Sequence, residues 1–577
     1  MDSRTAAHVL SQIGALLEVK GEHKFKARAY VGAARALVSL DTDDLGSLIQ
    51  SGELADTPGI GPATLSVVRE LVETGESSYL NQLREGMPEG ILDLLRIPGL
   101  GAAKIQVIHD ALGVQTMEDL ERVAENGQLA ALPKFGQKTA DRVLKGIAIV
   151  RRSAHLERYP AAVLEAHVML ASVEKHPDIT RSDVAGSIRR HNEVVADIDI
   201  VAECRTDPSK VADSFARAPG VRQAKPGEEP GSVDIRFVDG THLDMHCVAS
   251  GEYPVALWRA TGNSAHVEEL TVLAQKKGFQ IDRNSLVGKG GKKIILADES
   301  EFFAALGLQT IPPEMREGMG EIEAAARGEL PNLVTFDDLR GVLHCHSDYS
   351  DGSSTIEQMA RAAKERGWSY IGISDHSESA FYAGGLKRDK ILRQHDEIDQ
   401  LNAKMKGFRI LKGIEADILA DGRVDYDAET LARFDYVIGS IHSRFSMDGE
   451  AMTKRVLTAL DDPYLTILAH PTGRLLLSRE PYAIDVEAVL EKAVQVGVAV
   501  ELNADPHRLD LDWRYCRQAK ELGVTIEIGP DAHSTGGLDN VHFGIGMARK
   551  AWLEAGEILN TRDADGVLAF ARKRRDQ

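Results

Sequence analysis

Apolar residues recur at helical spacing through the first 150 residues. Segments such as HVLSQIGALLEV, ATLSVVRELV, KIQVIHDAL and TADRVLKGIAIV carry an apolar residue every three or four positions, which is typical of amphipathic helices. The turns between them contain glycine, and convincing strand-like alternation is lacking. The pattern predicts an all-α region over residues 1–150.

Strand-like patterns begin after residue 150, and they differ between the middle and the last region of the chain. Between residues 151 and 315, VVADIDIVAE, SVDIRFV and THLDMHCV alternate like half-buried strands. The charged, Pro- and Gly-bearing stretch over residues 316–335 is interpreted as a linker. From 336 to 577, apolar strands alternate with helical segments, which is the order of a parallel α/β barrel. The chain is therefore predicted to be multidomain: all-α, then α+β, then an α/β barrel.

Composition bounds the class of protein. The 577 residues are 43% apolar and 27% charged, which suggests about three to four domains and excludes wholesale disorder. Apolar runs stay below the roughly 18 residues that a membrane-spanning helix needs, and MDSRTAAHVL does not resemble a secretory signal. The four cysteines form no CxxC pair, which favours a reducing compartment. We expect a cytoplasmic monomer with no membrane partner.

Three glycine-containing turns separate the predicted N-terminal helices: PGIG at 58–61, PGLG at 98–101 and LPKFG at 132–136. Glycine permits positive φ and close backbone approach, and amides at the next helix N-terminus can bind a phosphate. A simple helix cap is the alternative for one copy, but three copies favour helix-hairpin-helix elements that grip DNA without reading bases. The net charge of −20 argues weakly against this, because metal-binding carboxylates inflate the acidic count. The predicted DNA-binding residues are Gly59, Gly61, Gly99, Gly101 and Gly136.

Closely spaced aspartates lie on the predicted strands of the middle region. In VVADIDIV, a period of two places Asp197 and Asp199 on one face, and Asp234 lies on a second strand. Carboxylates this close would repel one another, whereas bound Mg²⁺ or Mn²⁺ would neutralise them and suit in-line nucleotidyl transfer. Solvent-facing aspartates on an edge strand are the alternative for an isolated DxD. Asp244 on the next strand competes for the role of third carboxylate.

The motifs GSIRR at 186–190, DID and VDIRF resemble, in this order, the nucleotidyltransferase palm of family X DNA polymerases. The resemblance implies dNTP substrates and a metal-binding catalytic set of Asp197, Asp199 and Asp234. It also implies a nucleotide-binding set of Gly186, Ser187 and Arg190. The chain departs from the family where a Tyr-Phe pair normally lines the sugar, since Arg259-Ala260 stands there. The first hairpin also lacks the lysines of family members with lyase activity.

Histidines and carboxylates of the last region recur at equivalent positions relative to successive predicted strands. Each lies at or just past the C-terminal end of a predicted parallel strand, where barrel enzymes build their sites. Imidazole with carboxylate suits Zn²⁺, Mn²⁺ or Fe²⁺, and so many ligands indicate two to three ions that activate water for phosphoester hydrolysis. A satisfied polar residue is the alternative for any single histidine. The candidate ligands are His344, His346, Asp351, His376, Glu415, His442, His470, Asp531 and His533.

These motifs, HCH, DH, a strand-end Glu, HP and DAH, resemble the PHP (polymerase and histidinol phosphatase) domain over residues 336–577. The order of hairpins, palm and PHP domain is similar to the bacterial PolX family along nearly the whole chain. The resemblance implies a distorted (βα)7 PHP barrel that holds Zn²⁺ or Mn²⁺ and acts as a 3′–5′ exonuclease or phosphoesterase.

We therefore expect a DNA repair enzyme that combines template-directed gap filling with 3′-end hydrolysis on gapped or nicked DNA. One alternative is a PHP nuclease whose palm, weakened at Arg259-Ala260, mainly positions DNA. A second alternative is a non-catalytic DNA-end scaffold, which conflicts with two intact sets of candidate metal ligands.

Overall fold

The computed structural model describes residues 1–20, 24–40, 42, 44–85, 87–88 and 90–576. These residues form two compact units. The first comprises Met1–Arg189 and Val194–Thr310, and the second comprises Arg190–Glu193 and Ile311–Gln577. In the described ranges, helices that combine the length and the apolarity needed to cross a bilayer are absent.

The first part of the first unit is helical, as the apolar periodicity predicts. The apolar faces of its helices meet in one core that includes Leu10, Leu37, Val68 and Ile105. The helices are α1 (Ser3–Val19), α2 (Lys24–Leu40), α3 (Leu45–Ser51), α4 (Glu53–Asp56), α5 (Pro62–Thr74), α6 (Ser78–Arg84), α7 (Ile91–Leu95), α8 (Ala102–Leu112), α9 (Met117–Glu125), α10 (Gln128–Ala131) and α11 (Gln137–Arg152).

The rest of the first unit is α+β. It contains β1 (Glu157–Arg158), α12 (Tyr159–Glu174), β2 (Ile179–Val184), α13 (Gly186–Arg189), β3 (Val194–Val195), β4 (Ile198–Cys204), α14 (Pro208–Phe215), β5 (Val221–Pro226), β6 (Ser232–Phe237), β7 (His242–Ala249), α15 (Tyr253–Thr261), α16 (Ser264–Lys276), β8 (Gln280–Asp282), β9 (Ser285–Val287), β10 (Lys293–Ile294) and α17 (Glu299–Ala305). The main sheet has the order β2-β4-β7-β6-β5, and a small sheet has the order β10-β9-β8. The strand predicted from VVADIDIV is divided, because β3 pairs with β1 while β4 pairs with β2 and β7.

The second unit carries seven parallel strands in sequential order, β11 to β17. Its elements are α18 (Glu321–Arg327), β11 (Gly341–Val342), α19 (Ile356–Glu365), β12 (Tyr370–Ile373), α20 (Arg388–Lys404), β13 (Arg409–Asp417), α21 (Ala428–Leu431), β14 (Tyr436–Ser440), α22 (Gly449–Leu460), β15 (Leu465–Leu468), α23 (Val486–Val496), β16 (Ala499–Asn503), α24 (Trp513–Leu522), β17 (Ile526–Gly529), α25 (Val541–Lys550) and α26 (Ala564–Arg575). A parallel bridge between Cys345 and Ala532 joins the segments that follow the first and last strands. The backbone N–H of His346 donates to the Ala532 carbonyl at 2.8 Å. The predicted seven-stranded α/β barrel is confirmed, and it is nearly closed.

The segment predicted to be a linker, residues 316–335, is instead packed into the second unit. Arg316 is 1% exposed, and its Nε donates to the Ile311 carbonyl at 3.0 Å. Glu321 is fully buried and accepts hydrogen bonds from the backbone amides of Gly318 and Met319. Arg316 and Glu321 are thus buried and paired within the second unit, and the linker stays a prediction. The other predicted domain boundaries stay predictions.

A tyrosine fills the space between neighbouring strands of the barrel. Tyr436 is fully buried, and its hydroxyl donates to the Leu343 carbonyl at 2.5 Å. A Cβ built on Gly372 would lie 2.1 Å from the Tyr436 hydroxyl oxygen, and one on Gly413 would lie 2.2 Å from its ring. The phenol ring therefore occupies the volume that two strand glycines leave open.

We expect Gly372→Ala to lower the free energy of unfolding by about 1–3 kcal/mol, because the added methyl overpacks the barrel against a rigid ring. Gly556→Ala is the control, since a Cβ there meets no atom within 4 Å. Thermal unfolding followed by circular dichroism measures both variants. Equal melting temperatures for the two variants would contradict the packing described.

Candidate functional site

The nine candidate ligands of the barrel lie together at the C-terminal ends of its strands, and one carboxylate is central to them. Glu415 is 1% exposed, within β13. Its oxygens lie near ring nitrogens of five histidines: His376 Nδ1 at 2.9 Å, His470 Nε2 at 3.1 Å, His442 Nε2 at 3.2 Å, His344 Nε2 at 3.5 Å and His346 Nε2 at 3.7 Å. This arrangement gathers one carboxylate and five imidazoles that could together hold metal ions.

Two further aspartates complete the cluster. Asp531 Oδ1 lies 3.3 Å from His346 Nε2 and 3.7 Å from His533 Nδ1. Asp351 lies 3.4 Å from His533 Nε2 and 3.6 Å from His376 Nε2. Three overlapping groups result, each with ligand atoms within 4.8 Å of one another. They are His346, Asp351, His376 and His533; His344, His346 and Asp531; and His376, Glu415 and His442. His470 contacts Glu415 but lies outside these groups.

The chemistry of the buried atoms fits metal ions. His344 Nε2, both ring nitrogens of His346, His376 Nδ1 and Glu415 Oε2 are buried without a hydrogen-bond partner. An unsatisfied buried polar atom is costly, and a metal that binds these lone pairs removes that cost. His470 and Asp531 also adopt positive φ angles of 28° and 49°. Such backbone strain in non-glycine residues is common at functional sites.

Two acidic residues that the sequence analysis did not single out orient these ligands. Glu501 Oε1 lies 2.5 Å from His344 Nδ1, and its Oε2 accepts the His470 backbone N–H at 2.7 Å. Asp417 Oδ1 lies 2.8 Å from His442 Nδ1. With the carboxylates as acceptors, both histidines keep Nε2 free for a metal, as outer carboxylates do in metalloproteins. Their only sequence signals are a Glu inside the apolar run VAVELN and an Asp two residues after Glu415.

The electrostatics of the cluster are dominated by its carboxylates. Burial alone would lower the pKa of His376, but Glu415 and Asp351 raise it to about 10. Glu415 and Asp417 likewise raise the pKa of His442 to about 9 against the effect of burial. The same histidines hold the pKa of Glu415 well below its usual value despite its burial. The cluster therefore keeps its central carboxylate ionised.

Three carboxylates of the palm lie on three adjacent strands. Asp199 on β4 is the register partner of Asp244 on β7, and Asp244 is in turn the partner of Asp234 on β6. Asp244 is thus the middle carboxylate, and Asp234 lies one strand further from Asp199. Burial, then the charge of Asp199, raises the pKa of Asp244 to about 6, with smaller contributions from Asp197 and Asp234. The register thus favours Asp244 as the third carboxylate, and the choice between Asp234 and Asp244 stays a prediction.

The predicted nucleotide-binding residues Gly186, Ser187 and Arg190 differ in their local surroundings. Gly186 has a φ of +60°, and a Cβ on it would lie 1.7 Å from Asp199 Oδ2, so only glycine allows this contact. Ser187 Oγ is buried without a hydrogen-bond partner. Arg190 belongs to the second unit, where its Nε donates to Glu317 Oε1 at 3.2 Å. The guanidinium of Arg190 is thus paired with Glu317 in this structure, and its contact with a triphosphate stays a prediction.

A cavity of about 570 Å³ adjoins the palm carboxylates. Asp199, Asp234, Asp244, Arg259 and Ala260 are among the residues that line it. Arg259 Nη1 donates to Glu229 Oε1, also in the lining, at 2.9 Å. The position that departs from the family therefore faces this cavity and carries an ion pair.

The predicted DNA-binding glycines fall into two kinds. Gly59, Gly99 and Gly136 have φ angles of +95°, +79° and +98°, so the turns themselves require glycine. Gly61 and Gly101 have φ angles of −96° and −82°, and a Cβ on either would meet no atom within 4 Å. Neither the backbone nor internal packing requires glycine at these two positions. Their missing side chains leave the surface open to another molecule at the start of α5 and α8.

Comparisons with known proteins agree with this geometry. Family models match residues 1–77 (helix-hairpin-helix domain), 91–148 (SAM-like helix-hairpin-helix tandem), 256–317 (DNA polymerase beta thumb) and 343–505 (PHP domain). The chain is 36% identical over 578 residues to the DNA polymerase/3′-5′ exonuclease PolX of Bacillus subtilis (strain 168), covering 99% of this chain and 100% of that protein. It is 30% identical over 249 residues to the probable phosphatase TTE1963 of Caldanaerobacter subterraneus subsp. tengcongensis, covering 40% of this chain and 91% of that protein.

We expect Glu501→Gln to weaken zinc or manganese binding by about ten- to a hundredfold, because His344 loses its anionic partner. Metal content after dialysis against graded free metal, measured by mass spectrometry, reports the affinity. Glu521→Gln is the control, since that side chain is 70% exposed on α24. Unchanged metal affinity in Glu501→Gln would show that Glu501 does not support the cluster.

Proposed function

The chain belongs to the bacterial PolX family of DNA polymerases with a PHP domain, and from that premise we propose that it carries two activities on DNA. The palm extends a 3′ end at a gap from dNTPs, and the barrel hydrolyses phosphoester bonds at a 3′ end. The observation that carries the hydrolytic assignment is the buried Glu415 carboxylate among five histidines. This combination suits DNA repair, and cytoplasmic location and a monomeric state remain predictions.

For the polymerase activity, we propose Asp197, Asp199 and Asp244 as the ligands of Mg²⁺ or Mn²⁺. Bound there, the metals would supply charge neutralisation for in-line transfer of a nucleotide. Gly186 brings its backbone against Asp199, and the unpartnered hydroxyl of Ser187 follows it in the chain. These two residues are the proposed triphosphate contacts.

For the hydrolytic activity, we propose the nine barrel residues as a site for two to three Zn²⁺ or Mn²⁺ ions. Bound there, the metals would supply an activated water and neutralise the phosphoester. Arg508 adds a cation at the same rim, with its Nε 3.4 Å from Asp531 Oδ2. Its guanidinium is suited to hold a phosphate oxygen of the DNA strand.

A second candidate function is a nuclease whose palm mainly positions DNA. Two ion pairs favour it: Arg190 with Glu317, and Arg259 with Glu229. Both arginines would have to leave these carboxylates before binding a nucleotide. Single-nucleotide gap filling decides between the two candidates, because a positioning palm incorporates nothing.

We expect Asp244→Asn to reduce gap filling by about two orders of magnitude or more, because a metal-binding charge is lost. The matched variant Asp234→Asn should retain most of the activity, since Asp234 lies one strand further from Asp199. Both variants should degrade 3′ ends like the unmodified protein. Primer extension and 3′-end degradation on one labelled gapped DNA measure both activities of each variant. A greater loss of gap filling in Asp234→Asn than in Asp244→Asn would favour Asp234 as the third carboxylate.

The reciprocal variant removes two ligands of the barrel. With His344→Ala and His346→Ala combined, 3′-end degradation should disappear while gap filling continues. Persisting degradation in a folded double variant would place hydrolysis elsewhere. Loss of both activities with the fold intact would contradict two independent sites.

For the DNA grip, we expect Gly101→Val to raise the Kd for DNA by roughly fivefold or more for all sequences alike, since a phosphate contact worth about 1 kcal/mol is blocked. A Cβ at this position meets no atom of the protein within 4 Å, so the melting temperature should change little. Gly556→Val, away from the hairpins, is the control. Fluorescence anisotropy with duplexes of different sequence measures the effect, and loss of affinity for one sequence only would contradict backbone recognition.

A further inference from the structure

Two aromatic side chains at the rim of the barrel are unusually exposed. Phe381 and Tyr382 are 85% and 61% exposed, and Phe381 is the most exposed large apolar side chain in the described ranges. Their rings lie 6.0 Å apart at an angle of 79°. The chain is only 5% aromatic, so two adjacent rings in solvent call for a physical reason.

The backbone that presents these rings is held firmly. Phe381–Ala383 forms a short 3-10 helix, flanked by the fully buried side chains of Ala380 and Leu386. The Leu386 N–H donates to the His376 carbonyl at 2.8 Å, and the Glu378 N–H donates to the Tyr426 hydroxyl at 3.0 Å. Exposure of the two rings is therefore built into the loop and is not the result of a loose segment.

The pair stands directly beside the candidate metal cluster. The Tyr382 ring centroid lies 6.3 Å from those of both His376 and His442. Burial and the nearby carboxylates of Asp417 and Glu415 raise the pKa of the Tyr382 phenol. One ring thus adjoins the reacting centre, and the other extends from it into solvent.

We propose that Phe381 and Tyr382 form a stacking platform for the unpaired bases at the 3′ end of the strand that the barrel hydrolyses. The inference rests on the proposed hydrolytic function. A base is joined to its phosphate by a single sugar, so a phosphoester at the cluster brings its base to the adjacent rings. Stacking on aromatic rings accepts every base, because each base has a π-face.

This platform explains how a chain with a net charge of −20 can hold a strand end. Arg508 is a cation at this rim and is in contact with Asp531. Base stacking supplies affinity that does not depend on positive charge. A platform of this kind favours frayed or single-stranded 3′ ends over fully paired ends, since paired terminal bases are already stacked.

A fluorescence experiment on the full-length protein tests the platform without hydrolysis. A single strand with 2-aminopurine as its 3′-terminal base is titrated with protein in EDTA. The fluorescence quenching is measured at saturation, where all of the strand is bound. Differences in quenching then report contact with the terminal base and not a change in overall affinity, to which the hairpins also contribute. We expect quenching with the unmodified protein and with Tyr382→Phe, which keeps the ring. Quenching should fall in Phe381→Ala and Tyr382→Ala, but not in the control Tyr515→Ala, whose 40% exposed ring lies on α24.

Kinetics with Mn²⁺ give the second measurement. Substrates with ordinary 3′-terminal nucleotides are compared with substrates whose last two nucleotides lack bases. Phe381→Ala and Tyr382→Ala should raise KM for the ordinary end by roughly tenfold, which corresponds to one lost base–ring stack, and leave KM for the abasic end unchanged.

Equal losses on ordinary and abasic ends, or unchanged KM and quenching in the alanine variants, would overturn the platform. If the unmodified protein fails to cut DNA at all, the proposed hydrolytic function falls. The quenching data then still decide whether these rings bind a terminal base.

Discussion

A fully enclosed carboxylate with five imidazoles around it is the constraint on which the second unit depends. Glu415 is 1% exposed, and burying a lone ionised carboxylate would cost several kcal/mol. The cost is offset because His376, His442 and His344 hold its pKa well below the usual value. The barrel makes this possible, since parallel strands bring side chains from distant parts of the chain to one end.

Residues around the cluster hold the candidate ligands in position through hydrogen bonds and packing. Glu501 accepts from His344 and from the His470 backbone, and Asn503 Nδ2 bridges Glu501 and Asp531 at 3.1 Å each. Beyond these, Tyr436 packs over two strand glycines and fixes the spacing of the strands. The geometry of the ligands is thus set by packing several residues away from any metal.

Sequence reasoning located the barrel ligands because each one recurs at the end of an apolar strand. It favoured Asp234 over Asp244 from the flanking motif, which does not reveal the neighbouring strands, whereas the register places Asp244 between Asp199 and Asp234. It passed over Glu501, which has the sequence context of a core strand. It interpreted residues 316–335 as a linker, although the structure buries Arg316, whose Nε donates to the nearby Ile311 carbonyl. The local sequence pattern predicts the helices and strands, whereas contacts between distant parts of the chain decide which side chains lie together in a site.

The central claim is that Glu415 organises a multinuclear metal site, and anomalous X-ray diffraction from crystals of manganese-loaded protein tests it most directly. Two or three anomalous peaks should lie at the C-terminal end of the barrel, with the Glu415 carboxylate bonded to more than one of them. Protein that degrades DNA in solution but shows no peak there, or a single peak out of contact with Glu415, would contradict the account.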